Sequence, residues 1–461
     1  MRNWVARRLG GKQLFGHPVG LFALFFTEMW ERFSYYGMRA LLVLYMTEHL
    51  LANPNTAGIV WGYPALEHFL FKIFGPQSVQ QMSSQIYGLY TGFVYFTPFF
   101  GGMLADRLLG QYRTVYIGAI LMAIGHFLMA SEHAFLIALG FLILGNGCFK
   151  PNISTQVGKL YPEGDPRRDG AFTIFYMGIN LGATLSPLVC GTLGQVVGWH
   201  WGFAAAGVGM LLGLLIYWLG SGLVPRDSPL RKADPETPEE ARKPFTRKEW
   251  IAVGSLITMA LLNIPFWAIY EQQGNTLQLW ADQRTNWRFL GLFDIPSTWF
   301  QSFNPVMILM FAPLLSWVWL RQARKGREPS SVSKLGIGCY LLGAGYFVMI
   351  AAARAVPEGT RGSVLWLVGT TFLLTIGELY LSPVGLSLVV KVAPKRIVSM
   401  MMGMWFLSNF FGNYMTGYLG TFYDIMPKQR FFLMLGLIGV STGTAFTLIR
   451  RPLEKAIGKN L

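Results

Sequence analysis

Seven ionisable residues lie inside the long apolar stretches of this chain, where a charge is energetically costly. They fall in the first, fourth, seventh and tenth stretches and are Glu28, Glu31, Arg32, Arg39, Lys150, Glu271 and Glu378. A charged side chain at bilayer depth costs about 3 kcal/mol or more unless it is paired or faces water. Because these residues recur every three stretches, we predict that a repeating unit builds one polar cavity. This cavity would bind protons or a charged solute.

The polar residues of the first stretch line up on one helix face, at about 100° per residue. They are Glu28, Arg32, Tyr35 and Arg39, flanked by Glu31 and Tyr36. Because arginine keeps its charge, each guanidinium requires a carboxylate partner from this stretch or another. A carboxylate that releases its arginine on protonation is a proton switch. The structural alternative is a salt-bridge cluster that only holds the helices in register.

Opposite charges in the fourth and tenth stretches fit a zwitterionic ligand. Lys150 precedes Pro151, and Glu378 precedes Pro383 on its helix. Proline opens a membrane helix locally, where a cavity or a neighbour satisfies the freed carbonyl group. Glu378 would bind an ammonium group, and Lys150 with Arg32 would bind a carboxylate. The alternative is that Lys150 and Glu378 pair with each other.

The composition predicts a protein that crosses the membrane many times. Of the 461 residues, 52% are hydrophobic and 13% are charged, whereas soluble domains carry roughly 25% charged residues. Stretches of roughly 20 mostly apolar residues predict membrane-spanning helices, and hence an all-α membrane protein. Twelve such spans are predicted, at about 19–48, 83–105, 113–131, 134–158, 171–193, 201–222, 250–279, 302–320, 334–353, 363–390, 397–422 and 430–449.

The formal net charge of +15 reflects membrane topology. Of the 38 Lys and Arg residues, 28 fall on the side that holds both termini, 7 on the opposite side and 3 within the spans. An excess of basic residues marks the cytoplasmic side of a membrane protein. Both termini are therefore predicted in the cytoplasm, and no nucleic-acid partner is expected.

The predicted spans divide into two groups of six. Residues 223–249 are rich in Pro and charge and separate an N-terminal bundle, 1–222, from a C-terminal bundle, 250–461. Six plus six spans, each divisible into three plus three, is the organisation of the major facilitator superfamily, which binds its substrates near the bilayer midplane. The segment from Gly101 to Arg113 resembles the signature loop of that superfamily.

Enzymatic chemistry is not predicted. A membrane enzyme would need a nucleophile with its base, or a group of metal ligands. The histidines lie mostly in loops or singly in spans: His17, His49, His68, His126, His133 and His200. We therefore expect no catalytic residue, no metal site and no cofactor, with the proton gradient as the energy source.

Several motifs resemble those of the proton-dependent oligopeptide transporter family, also called the POT or peptide transporter family. The most specific is ExxERFxYYG, which the segment from Glu28 to Gly37 matches. The other matches are Phe149–Ile153, Phe175–Gly182, Phe266–Trp267 with Glu271–Gln272, Gln301–Pro305, Gly377–Pro383 and Met404–Leu407. Together they cover nearly the whole chain.

The resemblance implies a proton-coupled symporter that imports di- and tripeptides by alternating access. By matching position, Arg32 and Lys150 would bind the peptide carboxylate. Glu378 with Asn304 would bind the amino end. The resemblance also implies a multi-pass protein of the plasma membrane, such as the bacterial inner membrane, and we expect it to be a monomer.

The resemblance also assigns proton coupling and the pocket wall. Glu28 and Glu31 would belong to proton coupling, and Glu271 would be a proton acceptor that pairs with Arg39 when ionised and closes the outer gate. The pocket would be lined by Tyr36, Tyr90, Asn180 and Trp405. For the aromatic residues among these, ordinary packing is the alternative.

Two features depart from the family pattern, and other functions remain open. Residues 223–249 are too short to hold the additional helix pair of many bacterial members, and the long outer connection, 49–82, is not explained by the motifs. The alternatives are a carrier of nitrate or of a peptide-like compound, a peptide sensor that does not transport, and a proton-driven drug exporter. The intact ExxER motif, with Lys150 and Glu378, favours peptide transport.

Overall fold

The computed structural model describes residues 2–162, 164–225, 245–289, 291–394 and 397–457. These ranges contain twelve helices of 18 residues or more. In chain order they are α1 (Val19–Tyr45), α2 (Val79–Leu104), α3 (Gln111–Leu128), α4 (Phe135–Lys159), α5 (Arg167–Ser186), α6 (Trp199–Gly220), α7 (Arg247–Tyr270), α8 (Phe303–Arg324), α9 (Ser331–Ala355), α10 (Leu365–Val392), α11 (Val398–Gly420) and α12 (Lys428–Ile457).

Short helical segments connect or extend these helices. The α-helical ones are Arg2–Leu9, Pro54–Ile59, Tyr63–Phe74, Thr276–Arg284 and Phe422–Ile425. The 3₁₀ turns are Glu132–Ala134, Glu271–Gly274 and Ser297–Ser302, and the π-helical turns are Met46–Leu50, Ala105–Leu109, Pro187–Gly191 and Leu193–Val197.

Strands are confined to six two-residue segments among the described residues. They are β1 (Gln13–Leu14), β2 (His17–Pro18), β3 (Thr285–Asn286), β4 (Arg288–Phe289), β5 (Phe293–Asp294) and β6 (Gly362–Ser363). β1 pairs with β2 and β4 with β5 in antiparallel fashion, whereas β3 pairs with β6 in parallel.

The twelve predicted spans correspond to these twelve helices. By length and apolar composition alone, eight helical stretches of the described residues qualify as membrane spans. Helix α1 falls outside that set because it carries Glu28, Glu31, Arg32 and Arg39. The prediction is confirmed even for this helix, which begins at Val19 and continues beyond Tyr45 as a π-helical turn.

The seventh predicted span differs most from the structure, because it is not one continuous helix. Helix α7 ends at Tyr270, a 3₁₀ turn follows, and a new helix begins at Thr276. At the break, Asn275 has φ −117° and ψ −99°, outside the α-helical region. The break places Glu271 at the first residue of the turn.

The helices form two compact units. Unit 1 comprises Met1–Val79, Phe93–Ala233 and Ile295–Val306, and unit 2 comprises Gln80–Gly92, Asp234–Asp294 and Met307–Leu461. The first half of α2, from Gln80 to Gly92, thus groups with unit 2, and the start of α8 with unit 1. The predicted linker, 223–249, lies mostly outside the described residues, and the division into bundles 1–222 and 250–461 stays a prediction.

In unit 1, α1 packs against α5 and α6, and α3 packs against α4. Helix α5 approaches α1 so closely that a Cβ atom at Gly182 would lie 2.1 Å from the carbonyl oxygen of Met29. Close backbone approach at small residues is the usual way that membrane helices pack. Helix α6 is joined to α1 by Ser34, whose hydroxyl donates to the carbonyl of Ala206 at 2.7 Å.

In unit 2, α9 packs against α10 and α12, and α7 packs against α11. Side-chain hydrogen bonds join α7 to α11 near the end of α7. The Thr416 hydroxyl donates to the carbonyl of Ala268 at 3.1 Å, and the Gln272 amide donates to the carbonyl of Thr416 at 2.9 Å. The first bond satisfies a carbonyl group in the last turn of α7, where helix carbonyls lack a partner within the helix.

Candidate functional site

In unit 1, the acidic and basic residues of α1 form one buried cluster. Glu28, Glu31 and Arg32 are 1%, 0% and 2% exposed. The Arg32 guanidinium forms two hydrogen bonds to Glu31, one of them from Nη2 to Oε1 at 2.6 Å. Its Nε also lies 3.3 Å from Oε1 of Glu28. One guanidinium therefore serves two carboxylates, as the shared helix face predicted.

Helix α4 adds an amide to this cluster. Asn146 is 1% exposed and donates from Nδ2 to Oε1 of Glu31 at 3.4 Å. Glu28 is bound less completely, since its Oε2 is buried without a hydrogen-bond partner in the described structure. Asn146 is not among the site residues predicted from the sequence. The signal was there, because Asn146 precedes Lys150 by one helical turn in an otherwise apolar span.

The two other basic residues within the spans of unit 1, Lys150 and Arg39, lie over aromatic rings. The Lys150 Nζ lies 5.0 Å from the ring centroid of Tyr95, and Lys150 also interacts electrostatically with Glu28. The Arg39 guanidinium lies 5.8 Å from the ring centroid of Tyr36. Such cation–π contacts stabilise a positive charge away from bulk water. Lys150 thus lies within electrostatic range of Glu28, while Arg39 lies about 10 Å further along the helix than Arg32.

Two asparagines predicted to contact substrate lie in segments joined to each other. Asn180 on α5 is 4% exposed and donates to the carbonyl of Tyr176 at 3.0 Å. Asn304 is half-buried in the first turn of α8. The hydroxyl of Ser302, just before it, donates to the carbonyl of Thr184 at 2.8 Å. This bond fixes the start of α8 on α5, within unit 1.

In unit 2, Glu378 on α10 is bound by a tyrosine of α7. The Tyr270 hydroxyl donates to Oε2 of Glu378 at 2.5 Å. Tyr270 is 7% exposed, and its ring stacks on Phe266 with centroids 5.8 Å apart. Tyr270 is not among the site residues predicted from the sequence, although it directly precedes the predicted Glu271. A hydroxyl donor stabilises the ionised carboxylate without adding a positive charge.

The end of α7 positions Glu271, which is 3% exposed. The Tyr346 hydroxyl of α9 donates to the carbonyl of Ile269, so the last turn of α7 is held from a second helix. The Thr276 hydroxyl donates to Oε1 of Gln272 at 2.8 Å across the break. Glu271 and Tyr270 are neighbours in sequence, so two acids of unit 2 converge on the end of α7.

The predicted pocket aromatics of unit 2 are closely packed. Trp405 is 3% exposed and lies against α10, where a Cβ atom at Gly385 would come within 2.3 Å of the Trp405 ring. Tyr90 is 2% exposed and lies in the part of α2 that belongs to unit 2. Both residues are therefore closely packed, and their place in the pocket wall stays a prediction.

Among the described residues, the predicted charged site residues thus form one group in unit 1 and another in unit 2. In unit 1, Glu28, Glu31, Arg32 and Lys150 balance one another, so neutralising one glutamate by a proton frees positive charge for an anionic ligand. In unit 2, Glu378 and Glu271 supply negative charge beside Tyr270. The predicted pairing of Glu271 with Arg39 stays a prediction.

Comparisons with known proteins show a consistent similarity. The POT family profile matches residues 112–238 and 246–439. The peptide transporter YePEPT of Yersinia enterocolitica is 35% identical, over 89% of each chain. The di-/tripeptide transporter of Lactococcus lactis subsp. cremoris is 34% identical, over 97% of this chain and 98% of the relative. A crystal structure of a peptide transporter POT mutant in complex with alafosfalin superposes with a TM-score of 0.83, at 32% identity over 99% of each chain.

Proposed function

The chain belongs to the POT family, and we propose that it imports di- and tripeptides together with protons. The family profile covers most of the chain, so the resemblance drawn from the motifs is confirmed, as is the major facilitator fold of twelve helices. The chain is therefore a multi-pass membrane transporter. The observation that carries the proposal is the group of two buried glutamates and one buried arginine in unit 1, with the half-buried Lys150 in electrostatic range of Glu28.

The peptide carboxylate would bind to Arg32 and Lys150. In the described state, Arg32 is occupied by Glu31 and Glu28. A proton on either glutamate removes one competing negative charge, and the guanidinium then binds the carboxylate of the peptide bidentately. Proton and peptide binding are coupled in this way, because each is favoured when the other is present.

The peptide amino end would bind to Glu378, with Asn304 as a further partner. The Tyr270 hydroxyl donates to Oε2 of Glu378 and orients the carboxylate, which would supply the negative charge for the ammonium group. Glu378 is only half-buried, so its ionised form is solvated when no peptide is bound. Opposite charges at the two ends of the site would select the zwitterionic backbone and tolerate different side chains.

Glu28, Glu31 and Glu271 would carry protons during the cycle. Ionised Glu271 would pair with Arg39 and close the outer gate, and protonation would release that pair. Tyr36, Tyr90, Asn180 and Trp405 would line the pocket. The proton gradient supplies the energy, so the protein needs no cofactor and is not an enzyme. We place it as a monomer in the plasma membrane, with both termini in the cytoplasm.

Transport into proteoliposomes tests this proposal. An imposed inward proton gradient should drive accumulation of labelled dialanine, and a protonophore should abolish it. Lys150→Gln should lose accumulation, whereas Lys159→Gln, at the exposed end of the same helix, should transport normally. Counterflow of labelled dipeptide would separate a carrier from a peptide sensor. Accumulation that is insensitive to the protonophore, or undiminished in Lys150→Gln, contradicts the proposal.

A further inference from the structure

A second group of ionisable residues lies in unit 1, away from the transport residues. It consists of His49, Glu132 and His200, and one ligand atom from each lies within 4.8 Å of the other two. His49 is in the π-helical turn after α1, Glu132 begins the 3₁₀ turn between α3 and α4, and His200 is in the first turn of α6. Three segments far apart in sequence therefore meet at this point.

The positions of these side chains are fixed by packing. His49 Nε2 lies 2.6 Å from Oε1 of Glu132. The His49 ring stacks on Tyr45, with centroids 5.5 Å apart and an interplanar angle of 28°, and the His200 ring stands nearly perpendicular to it, with centroids 6.2 Å apart. Tyr45 in turn packs edge-on against Phe203, with centroids 5.1 Å apart. These contacts orient the His49 ring between Tyr45, His200 and Glu132.

Hydrogen bonding in this group is incomplete. Nδ1 of His200 is buried with no hydrogen-bond partner among the described residues, and so is the Tyr45 hydroxyl beside it. A buried polar atom without a partner costs about 1–3 kcal/mol. The described residues therefore leave two buried polar atoms without hydrogen bonds at the point where two imidazoles and a carboxylate meet. A bound cation with its water would give these atoms partners.

From this geometry we propose that His49, Glu132 and His200 bind a divalent cation of the zinc type. Two imidazoles and one carboxylate suit zinc, nickel or copper, whereas calcium and magnesium prefer oxygen ligands alone. Zinc bonds of about 2.0–2.2 Å place tetrahedral ligand atoms about 3.3 Å apart. The His49–Glu132 pair would open by less than about 1 Å, and the fourth position would hold water.

The bound cation would join the end of α1 to the α3–α4 turn and the start of α6. The proposed topology places this end of unit 1 outside the cell, where the cation can enter from solution. Helix α1 carries Glu28 and Arg32, so the cation would fix one end of the helix on which proton coupling is proposed. The site itself depends only on the three ligands and not on peptide transport.

Calorimetric titration of the full-length protein in detergent micelles tests the site. The affinity tag is removed and the protein is stripped with a chelator before zinc chloride is added. We expect one saturable site per molecule, and we expect 1 mM magnesium not to compete. Bound cobalt should give the visible absorption of a four-coordinate site. Zinc should also raise the midpoint of thermal unfolding, since a ligand that binds only the folded state stabilises it.

Three variants decide whether the assigned ligands bind the cation. Glu132→Gln keeps a hydrogen-bond partner for His49 and should weaken zinc binding about tenfold or more. His49→Gln should do the same, and the matched control His68→Gln, in an exposed helix of the same unit, should bind as the unchanged protein does. The absence of saturable zinc binding, or equal affinity in Glu132→Gln and His68→Gln, would overturn the proposal.

Discussion

The two units hold their buried acids in different ways. In unit 1, Glu28 and Glu31 share the guanidinium of Arg32, and all three are almost fully buried. In unit 2, the half-buried Glu378 is held by the neutral Tyr270 hydroxyl. A buried ion pair is costly to break, because its remaining charge loses both partner and water. Unit 1 should therefore depend on its charges for folding, whereas unit 2 should depend on them mainly for binding.

The largest expected effect on stability comes from removing the shared cation. Arg32→Met leaves two buried carboxylates without their guanidinium, so we expect a loss of about 3–5 kcal/mol in folding free energy. Thermal unfolding of the purified protein in detergent measures it. Arg324→Met, at an exposed position, is the control. Adding Glu28→Gln and Glu31→Gln should restore much of the stability. An unfolding midpoint equal to that of the control would contradict the claim that unit 1 depends on its buried charges for folding.

The next largest effect should come from overpacking unit 2. Gly385→Ala places a methyl group about where the Trp405 ring lies, with a nominal separation of 2.3 Å. We expect a loss of about 1–3 kcal/mol and slower transport. Gly369→Ala on the same helix faces open space and is the matched control. If both variants unfold at the same temperature, the ring is not held against α10.

A smaller effect is expected from the tyrosine that holds Glu378. Tyr270→Phe removes the donor to Oε2 and should cost about 1–2 kcal/mol, with a lower apparent affinity for dipeptide. The matched control is Tyr423→Phe in the same unit, because the Tyr423 hydroxyl is buried without a hydrogen-bond partner in the described structure. Loss of stability in Tyr423→Phe equal to that in Tyr270→Phe would remove the argument for a special role of Tyr270.

The smallest effect on stability should come from neutralising Glu378. Glu378→Gln still accepts the bond from Tyr270, so we expect a change below about 1 kcal/mol. Transport should nevertheless fall about tenfold or more, since the ammonium group loses its charged partner. Comparison of dialanine with N-acetyl-dialanine checks the role, because the variant should no longer prefer the free amino end. Retained preference for dialanine would assign that end to another residue.

Part of the site could be predicted from the sequence because it is local. The polar face of α1 follows from helical periodicity, and the structure has Glu28, Glu31 and Arg32 in contact. The partners Asn146 and Tyr270 were missed, because neutral polar residues in apolar spans carry a weaker signal than charges. The break after Glu271 was also missed. It is set by bonds from Tyr346 and Thr416, which come from other helices.

The sequence by itself determined the number of membrane helices and the positions of their charges. Both follow from one physical constraint, since each backbone must satisfy its hydrogen bonds within the bilayer and a charge there is costly. Only the tertiary structure decided which side chains meet. His49, Glu132 and His200 are separated by up to 151 positions, and their proximity depends on how helices pack, which no local pattern records.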